Sequence, residues 1–273
     1  MTDAPRPGPF TLAVCAELVF TDLPLVDRLR RLHELGFAAE IWSWADKDLD
    51  DLERVRADGV VIESMTGYLR GTLADPDGAA ELLATAEESA RVATRLGVPR
   101  LNVHGTGLDP NGLPVVPLPP GTEATGAMWA RAALTLDALA RVGERHGVVF
   151  ELENLNRAVD HPGTPFATAA DCLALVSTVD SPHLRLNLDL YHAQIDEGNV
   201  VELCRRALPY VGEVQVADVP GRCEPGTGEI HYPAVASALA AAGYTGTVAM
   251  EAHAAGDSLA AVEAFRVAFT PAG

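Results

Sequence analysis

Positive charge is what this chain has least of: 20 Lys and Arg stand against 38 Asp and Glu, a formal net charge of −18. Such a surface repels the phosphates of nucleic acid and of anionic membranes, and both partner classes are excluded. A small anionic substrate stays open, because a local pocket can differ in sign from the whole surface. Cysteine is also scarce. Cys15, Cys172, Cys204 and Cys223 are widely separated and form no CxxC pair, which suits reduced thiols in a cytoplasmic protein better than a disulfide framework or a zinc site. No apolar run is long enough to span a bilayer, and the opening MTDAPRPGPF has no apolar core of signal-peptide length. There is no GxGxxG between a strand and a helix to bind a dinucleotide. The expectation is a soluble, cytoplasmic protein.

What is present is ample apolar material, 48% of 273 residues, enough for one large domain with a sizeable core. Residues 1–8 are Pro-rich and read as a flexible tail, with a single domain over 9–273. From Phe10 onward, short β-branched runs alternate with helical stripes. FTLAVCAEL (10–18), AAEIWSW (38–44), VVIESMTGY (60–68), RLNVHG (100–105), VVFELENL (148–155), LRLNLDLY (184–191), the alternating run around Val214 and Val216, and TVAMEA (247–252) read as eight strands. Helices are expected over 23–36, 49–58, 78–96, 123–147, 168–179, 200–207, 232–242 and 258–269. Strand then helix, repeated about eight times with no domain boundary, is the pattern of a (β/α)₈ TIM barrel. The one long irregular segment, 106–121, is rich in Pro and Gly, and a loop of that length in a compact domain is functional or mobile.

In such a barrel the active site lies at the C-terminal ends of the strands. Four late strands carry polar groups there: Glu151 and Glu153, Asp189 with His192, Gln215 with Asp218, and Glu251 with His253. A buried carboxylate is expensive unless paired, hydrogen-bonded or bound to metal. Three carboxylates and an amide oxygen converging on one point form a hard oxygen site, suited to Mg²⁺ or Mn²⁺ rather than zinc. Duller readings stand beside these. Glu151 lies deeper than Glu153 and serves equally as a partner for an arginine; His192 is equally a capping or core histidine; His104 and Trp42 are either pocket wall or core packing. Asp218 has the opposite parity to Gln215, which favours bracing of the following loop over metal binding.

LENLN at 152–156, LDLYHAQ at 188–194, VQVADVPGRCEPGTGEIHYP at 214–233 and the strand ending in Glu251 resemble the hydroxypyruvate isomerase family, within the sugar-isomerase and epimerase group of xylose isomerase-like barrels. The resemblance is strong over about 148–251 and rests most on the GRxEPGTGEIxYP motif. It implies a divalent metal, Mg²⁺ or Mn²⁺, on Glu153, Asp189, Gln215 and Glu251, with Glu153 and Glu251 also serving as catalytic base and acid. It implies substrate contacts from His192 and Arg222, and the same role is expected of His104 and of His253, which stands where the family usually has lysine. The implied partner is a small 2-oxo acid or ketose, and a homo-oligomer is compatible. The implied reaction is an aldose–ketose isomerisation through an enediolate, hydroxypyruvate to 2-hydroxy-3-oxopropanoate. Rivals are a ketose 3-epimerase, a 2-oxo-tetronate isomerase and a catalytically silent sugar-binding barrel. Epimerases of the group place a second Glu six residues after the fifth-strand Glu, and here that position is Val159.

Overall fold

The computed structural model describes residues 8–270; apart from Gly8, the expected tail lies outside them. Eight parallel strands close into a barrel in sequence order. They are β1 (Thr11–Cys15), β2 (Ala38–Glu40), β3 (Ile62–Thr66), β4 (Arg100–Val103), β5 (Val149–Glu153), β6 (Leu184–Asp189), β7 (Val211–Val216) and β8 (Thr247–Met250), with β8 pairing back onto β1. Around them run α1 (Leu25–Glu34), α2 (Leu49–Ala57), α3 (Pro76–Leu96), α4 (Gly126–His146), α5 (Ala169–Val179), α6 (Leu190–Asp196), α7 (Val200–Ala207), α8 (Tyr232–Ala241) and α9 (Ser258–Phe269). The strands are shorter than their apolar runs suggest. AAEIWSW, for example, keeps ladder pairing only to Glu40, and Trp42 already belongs to the loop.

The helix ends follow local chemistry. Asp48, Asp75, Thr125, Thr168 and Asp257 cap their helices by accepting backbone N–H groups, while Gly97 and Gly147 close α3 and α4 in left-handed geometry. One helix escapes the sequence reading. LRLNLDLY looks like one strand, but the ladder stops at Asp189 and α6 begins at the next residue. Leu190 and Tyr191 are buried on the helix, so their apolar character says nothing about strand or helix here. Asp189 is both the last residue of β6 and the N-cap of α6, its Oδ1 accepting from the His192 amide at 3.0 Å.

The apolar core lies between strands and helices, where Leu, Val, Phe and Ala are fully enclosed. The barrel lumen is different. Period-two alternation sends every second strand residue inward, and those positions are largely polar: Glu40, Ser64, Arg100, Asn102, Glu151, Glu153, Asn187, Asp189, Glu213 and Gln215, beside a small cluster of Ala13, Ala38 and Ala249. At the base, Arg100 pairs with Glu63 and lies 3.5 Å from Glu151 Oε1. Glu151 thus takes the structural role open to it in the sequence. Burial pushes the Glu151 carboxyl well up and Glu213 up to about 7. Gly212 makes room for this layer, since a Cβ there would meet Glu151 Oε1 at 2.0 Å.

Candidate active site

The ends of β5 to β8 and the loops after β2 and β4 enclose a cleft of about 860 Å³, lined by Trp42, Glu153, His161, His192, Arg222 and Glu251 among others. Each wall has an identifiable support. Asp218 accepts the amides of Val219 and Ile230 on Oδ1 and of Gly226 on Oδ2, at 2.8 to 3.0 Å. It therefore braces the loop after β7, as its parity suggests, and Gly228 fits under Val219, where a Cβ would lie 2.0 Å from the carbonyl oxygen. The brace holds Arg222 at φ 52°, an uncommon backbone state for a residue with a side chain.

Arg222 then reaches back over the Tyr191 ring, 5.1 Å from its centroid, and Nη2 donates to Glu251 Oε2 at 2.7 Å. Its Nε is buried without a partner among the described residues. The other oxygen of Glu251, Oε1, accepts from the Trp42 indole at 2.6 Å. Trp42 is 43% exposed, yet its loop is fixed: Glu17 Oε1 accepts both the Trp42 amide at 3.0 Å and Lys47 Nζ at 2.9 Å. Burial pushes the Glu251 carboxyl up, with Glu153 adding to this and Arg222 opposing it.

Across the cleft, Glu153 Oε2 accepts from His104 Nε2 at 3.0 Å and from the Asn102 amide. Burial raises its pKa, but His104, Asn102 and Arg222 together outweigh burial and hold the group below its ordinary range. Asp189 is pushed well up by burial and by Glu153. Gln215 is oriented by two bonds: Asn187 donates to its Oε1 at 2.7 Å and its Nε2 donates to Glu40 Oε1 at 2.5 Å. One lone pair of Oε1 is left over.

His192 is fully buried, and its hydrogen can be placed by elimination. The Oδ1 of Asn156 accepts the amides of Val159 and Asp160 at 3.0 and 2.9 Å, so its Nδ2 is the atom facing His192 Nδ1 at 2.7 Å and Asp160 Oδ2 at 2.7 Å. His192 Nδ1 is therefore an acceptor. Burial, and then Arg222, His161 and His104, drive the ring toward neutrality, so its one hydrogen sits on Nε2. That atom lies 3.8 Å from both Glu153 Oε1 and Asp189 Oδ2. Atoms of Glu153, Asp189 and His192 lie within 4.8 Å of one another, but an N–H cannot ligate a cation. The oxygens can. Glu153 raises the proton affinity of both Asp189 and Glu251, and Glu251 that of Asp189; three buried carboxylates around one arginine form an excess of negative charge that suits a hard divalent ion.

Of the residues singled out in the sequence, Glu153, Asp189, His192, Arg222, Glu251 and His104 come together here, with Gln215 beside Asp189 in the ladder. His253 does not. The ladder ends at Met250, the His253 amide is committed to the Arg222 carbonyl at 2.9 Å, and the side chain is exposed outside the cleft. Several further residues contribute to the site. Glu40 and Asn102 carry the same signal as Glu153, a polar residue inside an apolar strand. Asn156, Asp160 and His161 lie in loops with no periodicity to mark them.

The chain matches the model of the xylose isomerase-like TIM barrel over residues 29–268. It belongs to that family. It is 31% identical over 261 residues to a putative hydroxypyruvate isomerase of Streptomyces coelicolor, covering 86% of this chain and 87% of that one. It is 27% identical over 246 residues to a 2-oxo-tetronate isomerase of Pectobacterium atrosepticum, covering 86% and 88%. Among solved structures, an AP endonuclease of family 2 from Brucella melitensis superposes with a TM-score of 0.80 at 25% identity, covering 95% of this chain and 97% of that one. An L-ribulose 3-epimerase superposes at 0.77 and 22% identity, over 94% and 92%, a likeness of fold alone. With these relatives, the barrel is an isomerase of the aldose–ketose class. Among the described residues no helix is long and apolar enough to cross a membrane.

Proposed function

We propose that this isomerase shifts a proton between the adjacent carbonyl and hydroxyl carbons of a short hydroxylated 2-oxo acid, with hydroxypyruvate and 2-hydroxy-3-oxopropanoate as the simplest pair. The observation that carries this reading is Arg222. A largely buried guanidinium with an unpaired Nε is costly to leave unmade, and a substrate carboxylate would satisfy it through the bidentate geometry arginine favours. Glu153, Asp189, Gln215 and Glu251 would hold Mg²⁺ or Mn²⁺. When bound, the cation lowers the energy of negative charge developing on the substrate oxygens.

The protein's own groups supply the rest. With the carboxylate on Arg222, the reacting carbons lie between Glu153 and Glu251. One glutamate takes the proton from C3; the C–H electron pair becomes the C2–C3 double bond of the enediolate, and the C2 carbonyl oxygen takes up the charge. His192 Nε2–H is placed to donate to that oxygen as charge grows. The C3 hydroxyl then passes its proton to the adjacent C2 oxygen while the other glutamate, protonated at the outset, delivers its proton to C2. The O–H pair closes the C3 carbonyl, and the aldehyde forms with no net change in oxidation state, one glutamate ending protonated and the other ionised. Trp42, Asn102 and His104 hold the two carboxylates in place and take no proton themselves. A 3-epimerase is less favoured, because Val159, where that group carries its second glutamate, is 67% exposed and has no acid.

The test is exchange in heavy water. With Mg²⁺ or Mn²⁺ added, the C3 hydrogens of hydroxypyruvate should be replaced by deuterium, as followed by proton NMR, and Glu153→Gln should abolish the exchange. If wild type catalyses no exchange on any hydroxylated 2-oxo acid, the proposal is wrong.

A further inference from the structure

His161 has no part in the steps above, yet it is 7% exposed and lines the cleft. It sits in the loop after β5, its amide bonded to the Asn156 carbonyl at 3.0 Å. Its Nδ1 lies 2.6 Å from the carbonyl oxygen of Gly112 in the long 106–121 loop. A carbonyl only accepts, so Nδ1 carries the hydrogen. Burial is the largest influence and, helped by His104 and Arg222, holds the ring below the usual histidine range against the Gly112 hydrogen bond and Glu153. The neutral ring, with its hydrogen fixed on Nδ1 by the Gly112 carbonyl, leaves Nε2 with a bare lone pair. That nitrogen is buried and has no partner among the described residues. Its ring stands 5.1 Å from that of His192, centroid to centroid. The two histidines thus present opposite chemistry to one cleft: His192 Nε2 donates, and His161 Nε2 accepts.

We infer that His161 is a specificity residue whose Nε2 accepts a hydrogen bond from a substrate hydroxyl beyond the reacting carbon pair, so that a four-carbon or longer polyhydroxylated 2-oxo acid is preferred to the three-carbon acid. This rests on the 2-oxo acid reading of the same site. A bare acceptor discriminates by chemistry: it rewards a hydroxyl, offers nothing to a methyl group and repels a second carboxylate. The carboxylate end therefore belongs at Arg222 and the hydroxylated tail at His161. The volume of the cleft agrees, since about 860 Å³ leaves a three-carbon acid largely surrounded by water.

The experiment compares kcat/KM, read by solvent-deuterium exchange, for hydroxypyruvate, 3,4-dihydroxy-2-oxobutanoate and 3-hydroxy-2-oxobutanoate. The last has the length but lacks the terminal hydroxyl. Wild type should favour the dihydroxy acid over its deoxy analogue by about tenfold or more. In His161→Phe that preference should collapse by about 10- to 100-fold, with hydroxypyruvate changed less than about threefold. His161→Gln keeps an acceptor oxygen and should retain most of the preference. A merely structural role would instead depress all three acids together, and that result, or an unchanged preference in His161→Phe, overturns the inference. Exchange on hydroxypyruvate with no hydroxyl preference in wild type overturns it while leaving the proposed function standing; no exchange on any of the three removes both.

Discussion

Replacing Asn156 by aspartate should move the hydrogen of His192 from one nitrogen to the other. The two side chains have the same shape, and the amides of Val159 and Asp160 would still find an acceptor at Oδ1. The atom facing His192 Nδ1 at 2.7 Å would become an acceptor instead of a donor. The imidazole answers by carrying its hydrogen on Nδ1, and Nε2 loses the N–H proposed to meet the substrate oxygen. Removing one preorganised donor of this kind costs about 2.7–4 kcal/mol, a drop of roughly 10²–10³ in kcat, with KM much less affected. One complication is visible in advance: the new carboxylate would face Asp160 Oδ2, now 2.7 Å from the amide. The double variant Asn156→Asp, Asp160→Asn removes that repulsion and keeps the altered tautomer. The assay is kcat on the best 2-oxo acid, paired with ¹⁵N NMR of the imidazole nitrogens to report the tautomer directly. If the spectrum shows the hydrogen on Nδ1 and kcat stays within about threefold of wild type, His192 is not the donor and the reasoning fails.

The two glutamates should behave as a unit. Glu153→Gln and Glu251→Gln should each slow turnover by about 10²–10⁴, and the double variant should be little slower than either, since both serve one proton shift; a fully additive loss in single-turnover rates would argue for independent roles. Arg222→Lys should cost more in kcat/KM on 2-oxo acids than on a neutral ketose, because lysine keeps the charge but not the paired donors, and equal losses would remove the carboxylate from that position. Far from the site, Glu87 is held below its ordinary range by His146 and then Arg145, at 2.7 Å each, which tie α3 to α4. A carboxylate lowered on folding stabilises the fold above its unfolded pKa, near 4.5, and that stabilisation is lost as pH falls through the lower folded value. Glu87→Gln should flatten the acid side of the melting profile by less than about 1 kcal/mol, the pair being partly exposed; an unaltered profile from neutral pH into that acid range would show the contact to be inert.

The eightfold alternation was legible because each strand pairs β-branched and leucine runs with a following helical stripe, and the barrel closes accordingly. The late strand ends were legible for another reason. A carboxylate in an apolar strand is an energetic anomaly, and Glu153, Asp189 and Glu251 are all such anomalies. Two things were hidden. The junction at Asp189 could not be read, since Leu190 and Tyr191 suit a buried strand and a buried helix equally. The contribution of the loops was hidden as well: Trp42 reaches Glu251 and His161 reaches the cleft from segments whose course depends on distant braces, Glu17 for one and Gly112 for the other. His253 failed in the opposite direction, since its place beside Glu251 in sequence puts it past the end of the ladder, where the chain has turned away.

Because α6 starts on the residue after Asp189, the sixth strand and its helix are joined without slack. An inserted or deleted residue there would rotate the cap, Asp189 and His192 together, so this quarter of the barrel is poorly suited to variation. The opposite holds for the segment after β4, where sixteen positions from 106 to 121 wall the cleft with Leu108 to Gly112 and touch His161 through the Gly112 carbonyl. Descendants of such a barrel can exchange that segment, and with it the partner of His161, without disturbing the residues proposed to move the proton. Evolvability is therefore unevenly distributed around the ring: new substrates are reached by rewriting one loop, whereas the chemistry is inherited nearly fixed.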